Sequence, residues 1–299
     1  MAGGLVAGLV AAGWLVARMP PDFGQFEARR ATLVSHVAEA PRPETGGFVS
    51  QAVQVTGDNG LRVDLRVLRA AGATEPRPLV VLLGGHRTGR DAVDLLGAPG
   101  PLVVAALDYP YEGPERPRGL RQSLAALWHG RKAFRETPAA VWLALDWLLA
   151  QPEVDPSRVE LVGVSLGVPF ATLAGALEPR FRRVWLIHGG ADNRAWIEHN
   201  LQSRVASESW RRRAGGLLHR VAHGSALEPA HWVPRISPRP VVVIGAREDR
   251  RLPAHLVEKL YAAADEPKEL IWTDGGHVDR RPEAVQALLD KVRSRLLEE

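Results

Sequence analysis

No cysteine occurs in the 299 residues, which excludes disulfides, thiolate metal sites and a cysteine nucleophile. The redox compartment stays open, because a core of this size needs no disulfides in either environment. Lysine is scarce: nearly all of the 38 basic residues are arginine, spread along the chain from Arg18 to Arg295. Such a spread lacks the phosphate-tracking stripe of a nucleic-acid binder. Nucleic acid is therefore not an expected partner, despite a net charge of +4 and a pI near 9.8. The run Arg211-Arg212-Arg213 reads as a solvated helix face. No internal repeat stands out, and 45% hydrophobic with 24% charged residues is ordinary globular composition.

Met1 to Ala17 carries no charged side chain and ends at Arg18, with Pro20-Pro21 beyond. It is slightly shorter than the roughly 20 residues of a full span and lacks the positive n-region and small-residue cleavage site of a signal peptide. The expectation is an uncleaved anchor attaching the protein to a membrane through residues 1–17, with a signal peptide or a docked apolar helix as alternatives. Arg18, Arg29 and Arg30 after the run would favour a cytoplasmic body.

Phe26 to Glu39 predicts a short amphipathic helix and Pro41 to Gly47 a linker, so the main domain is expected over 48–299. Phe48–Thr56 and Leu61–Leu68 alternate apolar residues around Gly57-Asp58-Asn59-Gly60, a hairpin signature. From Leu79 onward short apolar runs alternate with helical segments: Leu79–Leu83, Leu102–Leu107, Val159–Val162, Val184–Ile187, Val241–Ile244 and Leu270–Trp272. Runs without polar alternation suit strands buried on both faces, so the predicted architecture is an α/β fold with a mostly parallel sheet between helical layers. Thr137-Pro138 has the chemistry of a helix start. Pro282 to Leu297 predicts a closing helix with Val285, Leu288, Leu289, Val292 and Leu296 on one face. Gly189 to Pro240 is long for a crossover and predicts a small helical cap holding Trp196, Trp210 and Trp232.

The chain is organised around Val159 to Leu173, where Gly163-Val164-Ser165-Leu166-Gly167 has the form G-x-S-x-G between a strand and a helix. That is the nucleophile-elbow pattern: the serine sits on a strained strand-to-helix turn, and side chains two residues away would collide with backbone. The Leu166 N–H is then free for a developing oxyanion. Ligands of an open α/β sheet bind beyond the strand carboxyl ends, and three further candidates lie there. After Leu83 comes Gly84-Gly85-His86-Arg87-Thr88-Gly89, with the His86 N–H as the second oxyanion donor. After Ile244 comes a loop with Glu248 and Asp249, either of which can orient a histidine. After Trp272 come Gly275-Gly276-His277. The order Ser165, acid, His277 is that of a serine hydrolase triad. Asp192 is a fallback acid. His188, His199, His219, His223 and His231 lack ligand-like spacing, and the chemistry requires no metal or organic cofactor.

Together these residues resemble the α/β-hydrolase superfamily, in its dienelactone-hydrolase-like and prolyl-oligopeptidase-like branch. The motifs are GGHRTG at Gly84 to Gly89, DYP at Asp108 to Pro110, DPSRVELVGVSLG at Asp155 to Gly167, GAREDRRLP at Gly245 to Pro253, and GGH at Gly275 to His277. In that family the aspartate precedes the loop proline by four residues, which selects Asp249. The resemblance implies a Ser165–His277–Asp249 esterase or thioesterase acting on a small-molecule acyl substrate. A prolyl-oligopeptidase-like peptidase and a non-catalytic membrane-tethered binding protein on the same fold are the alternatives.

Overall fold

Side chains alternate across a strand, so a strand apolar at every position must be covered on both faces. In the computed structural model, which describes residues 23–72, 75–85, 88–95, 98–277, 290 and 293–295, the strands are β1 (Leu33–Ala38), β2 (Arg42–Glu44), β3 (Phe48–Gly57), β4 (Arg62–Ala70), β5 (Arg77–Leu83), β6 (Val103–Leu107), β7 (Val154–Val164), β8 (Arg183–Ile187), β9 (Val241–Ala246) and β10 (Lys268–Thr273). They form one sheet in the order β1-β3-β4-β6-β5-β7-β8-β9-β10, with β2 paired to β3. From β6 to β10 all neighbours are parallel; β1 to β4 pair antiparallel. Leu79, Val81 and Leu83 of β5 enter one apolar cluster, and Val80 and Leu82 the other.

The helices are α1 (Gly119–Leu149), α2 (Gly167–Leu177), α3 (Asn193–Asn200), α4 (Glu208–Val221), α5 (Pro229–Trp232) and α6 (Ala254–Ala263). Helices α1 and α2 cover the larger cluster, and the indole N–H of Trp142 on α1 donates to the Ala174 carbonyl of α2 at 3.2 Å. The predicted strands and the mostly parallel sheet are observed. The insertion at Gly189–Pro240 folds as α3 to α5 and a 3-10 turn at Val233–Ile236. Trp232 is buried and donates to the Ala226 carbonyl, whereas Trp210 is exposed.

Three expectations are corrected. Phe26 to Glu39 is not a helix: a 3-10 turn at Glu27–Arg29 leads into β1, which pairs with β3 from Ser35↔Thr56 to Ala38↔Val53. Its apolar residues fit a helical period, yet Val34 and Val37 are exposed. Ladder bonds to the open edge of β3 decide the conformation, not burial of a face. Nor is Pro41 to Gly47 only a linker, because β2 covers the far end of that edge and Glu44 accepts from Ser50 at 2.5 Å. The sheet therefore begins before the expected boundary at residue 48. Finally, Thr137-Pro138 does not start a helix but lies inside α1. The Thr137 hydroxyl donates to the Ala133 carbonyl at 2.7 Å. Packing of Ala139 to Leu145 carries the helix through the ladder bond that proline removes. The predicted segments 1–17 and most of 282–297 lie outside the described residues; Asp290 and Arg293 to Arg295 are helical.

The C-terminal end of α2 is closed by side chains from distant segments. Arg239 donates to the carbonyls of Gly175, Glu178 and Phe181 at 2.8, 2.7 and 3.0 Å. Arg30 donates to the Leu177 carbonyl at 3.1 Å and stacks its guanidinium over Trp142. Such contacts supply donors to carbonyls that a helix end leaves open. Arg239→Leu should lower the unfolding free energy by about 2–3 kcal/mol, since three carbonyls lose a charged donor; urea denaturation measures it.

Candidate active site

Ser165 stands on the turn from β7 into α2 with φ of 54°, in the left-handed region that non-glycine residues rarely occupy. The neighbouring glycines make this turn sterically feasible. A Cβ on Gly167 would lie 2.3 Å from the Leu83 carbonyl oxygen, and one on Gly163 2.5 Å from Cβ of Ala171. The backbones of β5, β7 and α2 thus approach too closely for any side chain. Leu166 begins the first turn of α2, where amides have no intrahelical acceptor.

Two loops deliver the remaining groups. Gly275, at φ of 92°, turns the chain after β10 so that His277 reaches back over the strand ends. Its Nε2 is 2.8 Å from the Ser165 Oγ. Its Nδ1 is 2.6 Å from Oδ2 of Asp249, which follows β9. The other carboxylate oxygen of Asp249 accepts from the Arg251 and Leu252 amides at 2.8 and 2.9 Å. Burial by itself would raise the Asp249 pKa; the bonds from His277 and the two amides more than offset it, and the carboxyl is held below its ordinary range. Glu248, the competing acid, is exposed, and its amide donates to the Gly275 carbonyl at 3.1 Å. Asp192 is engaged elsewhere, capping α3 through the Ala195 amide and pairing with Lys259.

The loop after β5 runs beside the serine: a Cβ on Gly85 would lie 3.6 Å from that of Ser165. His86 lies outside the described residues. What holds the loop is Tyr109, whose hydroxyl donates to the Gly84 carbonyl at 2.6 Å, and Thr88, whose hydroxyl donates to the Gly85 carbonyl at 2.7 Å. Neither role was apparent from the sequence, although Tyr109 follows β6 at the same sheet rim. His188, whose spacing suggests no ligand role, follows β8 as a strand exit. Its φ is 51° and its amide donates to the Ile244 carbonyl, while its ring lies 6.1 Å from the His277 ring. Burial, reinforced by His277, lowers its pKa to about 4. Neutral at pH 7, His188 adds no competing positive charge beside His277.

The cap braces the acid loop. Trp196 and Asn200 on α3 both donate to the Arg251 carbonyl at 2.9 Å, and the His199 ring meets the Arg250 carbonyl at 2.9 Å. Among the described residues no three His, Asp or Glu side chains converge as a metal site, and no helix is long and apolar enough to cross a membrane.

The fold recurs in solved structures. An acetyl xylan esterase from Paenibacillus sp. R4 superposes with a TM-score of 0.63 at 16% identity, over 91% of this chain and 92% of that one. The α/β hydrolase GrgF from Penicillium sp. sh18 superposes with 0.59 at 15% identity, over 88% and 98%. The chain has the α/β-hydrolase fold. No protein-family model matches it. An uncharacterized protein of Mycobacterium tuberculosis is 29% identical over 176 residues, 56% of this chain. The chain spans about half the length of that relative, 55%. Within the α/β-hydrolase fold, the turn after β7, the loop after β9 and the loop after β10 all open on one rim of the sheet, which brings Ser165, Asp249 and His277 together.

Two outcomes test this geometry. Gly167→Ala should cost at least about 1–3 kcal/mol of stability, because the methyl meets backbone rather than a flexible side chain; thermal unfolding reads it. A carboxyl with a depressed folded pKa contributes stability that is complete above its unfolded value of about 4 and is lost as pH falls through the folded value. The stability gap between wild type and Asp249→Asn should therefore be constant from about pH 5 to 7 and shrink below about pH 4, as followed by urea unfolding across pH.

Proposed function

We propose that this protein is a serine hydrolase that cleaves a carboxylic ester or thioester through an acyl-enzyme. The observation that carries the reading is the unbroken chain Ser165 Oγ, His277 Nε2, His277 Nδ1, Asp249 Oδ2, with links of 2.8 and 2.6 Å on a strained strand-to-helix turn. The Ser165 oxygen attacks the substrate carbonyl carbon while its proton passes to His277 Nε2. The Asp249 carboxylate holds the Nδ1–H tautomer and stabilises the imidazolium. The tetrahedral oxyanion is received by the Leu166 amide, with the His86 amide assigned as second donor. Collapse expels the alcohol or thiol, which takes the proton from His277. Water then attacks the acyl-serine by the same route, releasing the acid and restoring the serine.

Ester chemistry is favoured over peptide cleavage by the company the fold keeps, since the structural neighbours include acetyl xylan esterases and a methylesterase. The reaction as written needs no metal or organic cofactor. For the substrate the proposal is a small to medium acyl compound. Attachment to a membrane through residues 1–17 belongs to this proposal as well.

A fluorophosphonate probe should label wild type but not Ser165→Ala. On aryl esters of graded acyl length, Ser165→Ala should lower kcat by about 10³-fold or more, and Asp249→Asn by a similar order. Turnover of aminoacyl-prolyl amides in preference to all esters would identify a peptidase instead. A folded protein that neither reacts with the probe nor turns over any member of the panel would be a binding module.

A further inference from the structure

Helix α1 extends beyond the body it packs on. Its residues from Ala139 to Leu145 are buried, whereas near its start Leu120, Leu124, Leu127 and Trp128 are 36%, 41%, 40% and 70% exposed. At helical spacing these four share one arc of about 100°, an apolar strip on a projecting helix. No acidic residue occurs from Arg116 to Lys132, while Arg116, Arg118, Arg121, Arg131 and Lys132 do. Lys132 pairs with Glu112; Arg116, Arg118 and Arg121 pair with no carboxylate among the described residues.

Helix α4 carries a second strip of the same kind. Trp210, Leu217 and Leu218 are 62%, 40% and 40% exposed and lie seven and eight residues apart, on one face. Arg211, Arg212 and Arg213 follow the tryptophan, and the Arg213 guanidinium lies over its ring at 5.3 Å. The strips are joined. Arg131, on the same arc of α1 as the exposed leucines, donates to the Arg220 and Val221 carbonyls at the end of α4 at 2.8 and 2.9 Å.

We infer that the exposed faces of α1 and α4 form a docking surface for an anionic phospholipid bilayer. Leucine and tryptophan flanked by arginine are the composition of helices that lie in a membrane interface, with the aliphatic stems buried and the guanidinium heads at the phosphates. Charge decides between this occupant and a second copy of the chain: two like surfaces would set their arginines against one another, whereas a layer of lipid phosphates neutralises them. The loop preceding α1 carries Tyr109, bonded to Gly84 beside Ser165, and Tyr111, whose ring meets His129 at 6.3 Å. That loop therefore runs from the rim of the site to the side of α1 opposite the strip. The docking surface stands independently of the catalytic reading.

Co-sedimentation of the full chain with vesicles tests it. One set is phosphatidylcholine alone and the other contains about one third phosphatidylglycerol. Wild type should partition at least about tenfold more strongly onto the anionic set, with binding falling as salt rises. Arg118→Glu with Arg121→Glu, and separately Leu124→Ser with Trp128→Ser, should each reduce that partition about tenfold or more without moving the melting temperature. Because residues 1–17 are present throughout, equal partition of wild type and both variants would overturn the proposal. So would absence of wild-type binding, or a concentration-dependent dimer that Leu124→Ser with Trp128→Ser abolishes while vesicle binding persists.

Discussion

The structure depends on the close approach of three backbones around Ser165. The end of β5, the end of β7 and the first turn of α2 meet where only glycine fits, with Leu83 carbonyl and Ala171 methyl groups already at the distances a side chain would need. That crowding holds the serine at positive φ and lifts its oxygen out of the sheet. Strain of this kind persists only where surrounding packing over-determines it. Here the packing is extensive: β7 lies between β5 and β8, α2 is buried over most of its length, and its far end is closed by Arg239 and Arg30.

The other half of the site is built differently. Asp249 and His277 stand on loops, so their positions are determined by hydrogen bonds rather than by apolar packing. The Asp249 carboxylate is satisfied by two amides of its own loop as well as by the imidazole, and the next carbonyls are clamped by α3. The Glu248 amide ties the acid loop to the histidine loop at Gly275. The carboxylate oxygens are thus paired, and these bonds hold the carboxyl below its ordinary range although burial alone would raise it. Cap and acid loop are consequently one mechanical unit.

Features written locally in the chain were legible before folding. The β5 and β9 runs are apolar at successive positions because both faces are covered, and the G-x-S-x-G turn announces itself because its glycines answer a local steric demand. What was misread depends on partners far away in sequence. The segment Leu33–Ala38 has apolar residues at helical and strand-compatible spacing alike, and only the open edge of β3 settles the choice. Thr137-Pro138 has the right residues for a helix start, but tertiary burial of the following turns outweighs one missing ladder bond. Tyr109 and His188 gained their places at the site through chain crossings that no spacing rule encodes.

The continuity of α1 through Pro138 links the core to the surface. Had the helix broken at Thr137, the segment from Gly119 to Glu136 would be a separate piece, free to fold its leucines against the body. As one rod, its first turns are constrained to project, because Ala139 to Leu145 are seated in the core and Trp142 is bonded to α2. The exposure of Leu120, Leu124 and Trp128 is then a consequence of where the other half of the same helix is held. The same constraint sets Arg116, Arg118 and Arg121 beside the exposed leucines, so that apolar surface and positive charge share one end of the helix.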